Sequence, residues 1–410
     1  MTEVIPFRGI HYNREKVSGE DVLAPPYDVI SPEMKEALYS KSPHNIIQID
    51  AGKKLPEDDD INNRYTRAAE LLGQWQKDNI LTRDEKPTYY LCRMEYTVRG
   101  EKRSLTGFFG LVRLVELGKG VFPHEATHSK PKKDRLSLMT SSKANTSPIY
   151  SLYNSETSLT DIMDRATAGS EYISFTDPDG SVHRFWIMDN ESDVEKVREA
   201  LDGVNIFIAD GHHRYETAIE YQRHMHEAHG SSLREPYDYV LMFLADINDP
   251  GLAVLPTHRV VTVDVDTIIE KISKAFEVEE LPSDADFMKS IEGRKRAFGL
   301  YDGEHRYRIS CKDCAIEDAD PVLGGLDVSV LHKIIFGQLL EVGGWGYEME
   351  VETTLGMVDE GEYDAAFFLN PTEVKDVEAV ASKMLRMPPK STYFYPKVQT
   401  GFLLNSLTTF

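Results

Sequence analysis

At residues 206–221, IFIADGHHRYETAIEY, an apolar run passes through Asp-Gly into a segment with helical periodicity, and that junction limits what the chain can fold into. Ile206 to Ala209 have the apolar character of a short buried strand, and Asp210-Gly211 supplies a turn. Tyr215, Ala218, Ile219 and Met225 then approximate one helical stripe. A strand that feeds a helix in this way belongs to an α/β or mixed α+β architecture.

The same intermixture runs along the chain. Ser31-Pro32-Glu33 has the form of a capped helix start, and RYTRAAELLGQWQKDNIL places Ala68, Leu71, Leu72 and Trp75 at helical spacing. TYYLCRMEYTV, SLTGFFGLVRLVEL, VHRFWIM, YVLMFLADIND and LAVLPTHRVVTV read as strands, and helix and strand patterns keep alternating after about Val265. The segment 118–148 reads as a long loop with a short helix. Two regions are expected: 1–264, carrying both polar motifs described below, and a C-terminal α/β region, 265–410.

Composition removes whole function classes. A net charge of -22 over 410 residues excludes general binding to nucleic acid or to an anionic membrane, which require a basic face. No apolar run approaches the ~20 residues of a membrane span, and MTEVIPFRGIHYN lacks the pattern of a signal peptide. Three cysteines are too few for a disulfide framework, so a cytoplasmic protein is expected and CKDC (Cys311, Cys314) reads as incidental thiols.

The polar chemistry after Ala209 is electrostatically wrong for a helix alone. The N-terminus of a helix presents unpaired amides and the positive end of the dipole, yet His212, His213 and Arg214 sit there. An anion among them resolves the conflict: Gly211 permits close approach, Asp210 caps the helix or faces a metal, and the side chains add donors. The plainer alternative is a capped helix whose His and Arg are satisfied by local carboxylates. Zinc is the rival, through His212 and Glu216 with His224, His226 and His229 downstream, but Arg214 repels a cation and no zinc is expected.

A second cluster, FPHEATHSKPKKDR, sets Glu125 beside His124 and follows it with His128, Lys130, Lys132, Lys133 and Arg135. A carboxylate that takes a hydroxyl proton, together with cations that neutralise developing charge, suits phosphoryl transfer; a solvated, mobile charge run is the plainer reading. MPPKST lacks the glycines of a P-loop; Lys390 is a candidate anion contact, and a turn entering a strand is the plainer reading. Asp249, or Asp246 near it, is a candidate magnesium ligand with Asp210, and Asp249-Pro250-Gly251 is equally a plain turn.

Eight ordered segments, among them LAPPYDVISPE, SPHNIIQID, FPHEATHSKPKKDRLSLM, ANTSPIYSLY, ADGHHRYETA and MPPKSTYFYPKVQTG, resemble domain-of-unknown-function family 1015 over nearly the whole chain. IADGHHRYETA is also similar to the phosphate-binding signature of ParB/sulfiredoxin-like proteins, among them kinases acting on free L-serine. That resemblance implies a ParB/sulfiredoxin-like phosphate-binding core with large additional α/β elaborations. It implies that Gly211, His212, His213 and Arg214, which follow Asp210 in the motif, hold nucleotide phosphate, and that Glu125 activates the serine hydroxyl. The expected function is a small-molecule kinase converting free L-serine to O-phospho-L-serine with ATP or ADP and Mg²⁺. In it Asp210 and His213 join Glu125 in catalysis, and Lys130, Lys132, Lys133 and Arg135 join the phosphate site as the loop closes. Two other classes stay open: a nucleotide or phosphoester hydrolase using the same anion site, and a non-catalytic protein that binds a phosphorylated metabolite.

Overall fold

The computed structural model describes residues 2–127, 129–230, 234–311 and 320–410, and of Ser129 and Lys130 only the backbone. His128, the Lys130 side chain and Cys314 therefore lie outside the described residues. The protein is of mixed α/β class. Its chain forms two compact units, one of residues 1–123, 127–252 and 396–410, the other of 124–126 and 253–395. Where the sequence placed one boundary after residue 264, the contacts divide at 252/253 and again at 395/396. The reason is pairing: the strand Ala253–Leu255 is hydrogen-bonded to Tyr393–Tyr395, and Glu125 bridges to Met387.

The first unit is built on a nine-stranded sheet. Along it lie Val121–Phe122, Asn205–Asp210, Ile149–Asn154, Tyr239–Asp246, Glu101–Arg113, Tyr90–Val98, Val182–Ile187 and Ile173–Thr176, with Val4–Ile5 paired to the far end of Glu101–Arg113. The strand Asn205–Asp210 runs antiparallel to Ile149–Asn154, with Asp210 opposite Tyr150 across a register shift. The helix His212–His229 lays Tyr215, Ala218 and Tyr221 onto the core formed by Ile206, Ile208, Ile149, Phe108 and Met242. Each such side chain taken fully out of water contributes about 1.5–3 kcal/mol, so the core fixes where this helix begins.

The helix start predicted at Ser31 forms for the predicted reason, and the amphipathic helix begins with a cap not expected from the sequence. Ser31 Oγ accepts from the Met34 amide ahead of the helix Pro32–Lys41, and Asn63 and Thr66 form a capping box at Arg64–Lys77. Between residues 118 and 148, where a long loop with a short helix was expected, the helix is the 14-residue Ser129–Ser142. Its apolar anchors, Leu138 and Met139, come only after the charged stretch, so the sequence shows no helical stripe there.

The second unit carries a six-stranded sheet in the order Phe276–Leu281, Arg306–Cys311, Ala297–Tyr301, Ala365–Phe368, His258–Val261 and Trp345–Glu348. Val260, Phe287, Leu355 and Phe368 form a core on it. Cys311 is disulfide-bonded, not the incidental thiol expected, whereas Cys92 is a buried free thiol. Among the described residues no helix is long and apolar enough to cross a membrane.

Candidate anion-binding site

The strand Asn205–Asp210 turns into the helix His212–His229 through Gly211, whose φ of 97° is in the left-handed region that favours glycine. Gly211, not Asp210, is the cap residue, and no side chain caps this end. The Tyr215 amide makes its helical bond to Gly211 O at 3.1 Å, so the amides of residues 212–214 precede the first turn's bonding.

Glycine is required at position 211 for a second reason. A Cβ there would lie 2.8 Å from Arg214 Nε and 3.0 Å from its Cζ, because the Arg214 side chain folds back over the turn. Arg214 is 8% exposed. Its Nη1 donates to Pro148 O, and its Nη2 lies 3.6 Å from Asp210 Oδ2. Its Nε is buried and has no hydrogen-bond partner among the described residues. The local carboxylate thus meets part of the charge, at a separation beyond hydrogen-bond length, and leaves one N–H without an acceptor.

Asp210 stands in a field of cations. Lys397 Nζ is 3.3 Å from the same Oδ2 that faces Arg214. Burial pushes the Asp210 carboxyl pKa up, but Lys397, Arg214 and His212 together outweigh burial and hold it well below the usual carboxylate range. It is therefore an anion at neutral pH, fixed by two cations from outside the strand.

Arg135 and three residues to which the sequence assigned no role, Tyr27, Asp50 and Thr146, complete the surroundings. Arg135 is buried, donates to Asp134 Oδ2 from Nε and Nη2 at 3.0 and 2.7 Å, and lies 3.3 Å from Asp50 Oδ1. Thr146 Oγ1 donates to the same Asp50 oxygen at 2.6 Å, and the Arg135 guanidinium lies over the Tyr27 ring at 4.1 Å. Burial raises the Tyr27 pKa to about 12 against the lowering influence of Arg214 and Arg135. Arg135, Thr146 and Arg214 line a cavity of about 20 Å³, room for one water but not for a phosphate. Tyr27, Asp50 and Thr146 occur in LAPPYDVISPE, SPHNIIQID and ANTSPIYSLY, but only chain folding brings them to one guanidinium.

Among the described side chains the expected basic cluster does not gather. Lys132 is paired with Glu216 at 2.9 Å, Lys133 is exposed, and Arg135 points inward. A helix advances about 100° per residue, so neighbouring cations face different directions where a loop would have let them converge. Glu216 also accepts from Thr127 at 2.6 Å, and among the described residues no group of three potential metal ligands occurs. Asp249 accepts the Gly251 amide at 2.7 Å in the turn after Tyr239–Asp246, where burial and then Asp246 raise its pKa. With Asp210 held between two cations and Asp249 serving a turn, neither carboxylate fits the magnesium role expected of it.

Glu125 belongs to the second unit. It accepts from the Lys390 amide at 3.2 Å, and His124 Nε2 meets Thr392 Oγ1 at 2.8 Å. The PHE and MPPKST segments, far apart in sequence, are thus neighbours. In the same unit Arg259 is fully buried, stacks on Tyr347 at 4.7 Å, and donates from Nε to His332 Nε2 at 3.1 Å.

Burial, then Arg259, lower the His332 pKa from 6.5 to about 3. Because the folded value is depressed, the unfolded chain binds the extra proton between these two pH values. Stability is therefore full above about pH 6.5 and falls as the pH drops toward 3, by a few kcal/mol at most after screening (roughly 1.4 per unit shifted). His332→Gln, which can accept from Arg259 without titrating, is expected to flatten this part of a melting-temperature profile. An unchanged acid limb would contradict it.

The first unit is an α/β scaffold that turns an arginine and a lysine toward the start of a helix. The chain belongs to the family described as Protein of unknown function (DUF1015), whose model matches residues 4–329. No curated protein matches it. Among solved structures it is similar to a conserved hypothetical protein from Pyrococcus furiosus, at 17% identity and a TM-score of 0.35 over 72% of this chain and 95% of that one. A free serine kinase in complex with AMP gives 16% and 0.35, over 72% and 92% of the two chains. SbnI from Staphylococcus aureus, with a C-terminal truncation, gives 13% and 0.36, over 72% and 87%. Likenesses this slight bear on neither the fold nor the activity.

Proposed function

We propose that the protein is a small-molecule kinase, with a ParB/sulfiredoxin-like phosphate-binding core, that transfers a phosphoryl group from ATP or ADP to free L-serine. One observation carries the reading: Arg214 Nε, buried and without an acceptor among the described residues, lies on Gly211 at the start of an 18-residue helix. A buried charged N–H with no acceptor from the chain is costly, and an anionic oxygen at that point removes the cost. The resemblance of IADGHHRYETA to the free-serine kinases supplies the substrate class.

In this reading the amides of residues 212–214 and the Arg214 guanidinium hold donor phosphate at the helix start, not in the small cavity shared with Arg135 and Thr146, with His212 and His213 as side-chain donors, and Asp210 orients Arg214. The serine hydroxyl oxygen bonds to the terminal phosphorus, the bond from that phosphorus to the bridging oxygen of the nucleotide breaks, and Glu125 accepts the hydroxyl proton. Catalysis of this kind is mostly positioning and charge stabilisation, so it needs no Walker motif.

Incubation with ATP or ADP and a pool of amino acids, followed by phosphorus NMR, tests the reading. O-Phosphoserine is the expected product. Glu125→Gln should lower its rate by about 10²–10⁴-fold while leaving nucleotide binding intact. Inorganic phosphate released equally with and without serine would make the protein a hydrolase. Nucleotide binding without turnover would make it a sensor.

A further inference from the structure

The cation beside Asp210 comes from the last segment of the chain, beyond the span matched by the family model. That segment is firmly held in the first unit. Thr400 exchanges backbone bonds with Ala24 at 2.8 and 3.2 Å, Leu404 does so with Ile10 at 2.8 and 3.0 Å, and Asn405–Ser406 pairs with Ala144–Asn145. Gly401 has a φ of 104°, in the region that favours glycine, and a Cβ there would lie 2.9 Å from Leu23 Cδ2, so the turn packs closely on the first unit.

Lys397 is delivered by this fixed strap to a place where lysine is costly. Its side chain is 13% exposed and its Nζ faces Asp210 Oδ2, the oxygen that also faces Arg214. A lysine that served only solubility would extend into water; this one is held inside, with a compact ammonium that has three donor directions. One carboxylate oxygen lies between two cations, beside a helix start and an Arg N–H without an acceptor.

We propose that Lys397 is a phosphate-binding residue: Asp210 orients its ammonium, which grips the polyphosphate chain of a nucleoside di- or triphosphate together with Arg214. The inference rests on the proposed function, and it adds the C-terminal strap to the nucleotide site. The role is electrostatic and positional, without bond changes at Lys397.

The test uses the full chain and inorganic pyrophosphate, titrated calorimetrically into the wild type and Lys397→Met at neutral pH. Alongside it, acetylation of Lys397 in the wild type is read by mass spectrometry with and without pyrophosphate. Loss of one charge-assisted contact should weaken binding by about 10- to 100-fold in Lys397→Met. Pyrophosphate should also protect Lys397 from acetylation, a readout that does not depend on the variant folding. Wild-type affinity in a folded Lys397→Met, or unchanged labelling in a wild type that binds pyrophosphate, overturns the inference. A wild type that binds no pyrophosphate overturns the anion site itself, and with it the proposed function.

Discussion

Arg214→Met is expected to yield a folded protein that binds pyrophosphate and nucleotide poorly and turns over about 10²–10³-fold more slowly, the scale of losing a preorganised donor to developing charge. Methionine keeps much of the apolar stem but has no N–H. The fold loses the bond to Pro148 O and the contact with Asp210, together about 1–3 kcal/mol, while Asp210 keeps Lys397. Binding and stability should therefore separate. Arg214→Lys is expected to recover little, since an ammonium restores the charge but not the Nε donor lying on Gly211. Calorimetric titration with pyrophosphate and thermal melting of the three proteins decide the matter. Wild-type affinity in the methionine variant would leave Arg214 as a strut between Pro148 and Asp210 and nothing more.

Local features of the sequence were readable where one physical cause dominated. The change from strand to helix at Asp210-Gly211 was legible because the periodicity changes there and glycine marks a turn that other residues resist. The cap at Ser31 and the stripe through Ala68, Leu72 and Trp75 were legible for the same reason. The segment 129–142 was not, because its charged first half carries no apolar spacing and its helix is secured by tertiary contacts. Sequence proximity misled for Lys132, Lys133 and Arg135, which look like one patch when written in a line and diverge on a helix. It was silent for Tyr27, Asp50, Thr146 and Lys397, whose importance lies in long-range contacts that no spacing encodes. Glu125 shows both effects: its carboxylate chemistry was visible, whereas its pairing with the segment around Met387 and Lys390 was not.

The second large effect separates the two buried arginines of the first unit. Arg135→Met is expected to destabilise that unit by about 3–5 kcal/mol, because it strands the buried carboxylate of Asp50 with Thr146 alone of the two donors described for it. At the usual scale for a domain of this size the melting temperature should fall by roughly 10 °C. Asp134 adds to the loss: burial raises its pKa, Arg135 is first among the groups that lower it, and Tyr65 and Arg64 remain to compensate in part. The Arg135 guanidinium is thus used by two carboxylates and a tyrosine ring, which makes it a structural support for Asp50 and Asp134 instead of the phosphate ligand that its place in a basic run suggested. An Arg135→Met protein that melts with the wild type would refute this, and loss of pyrophosphate binding in such a protein would return Arg135 to the phosphate site. Replacing Asp50 by leucine in the same protein should restore part of the lost stability, because the penalty comes from an uncompensated buried charge and disappears when both charges are removed.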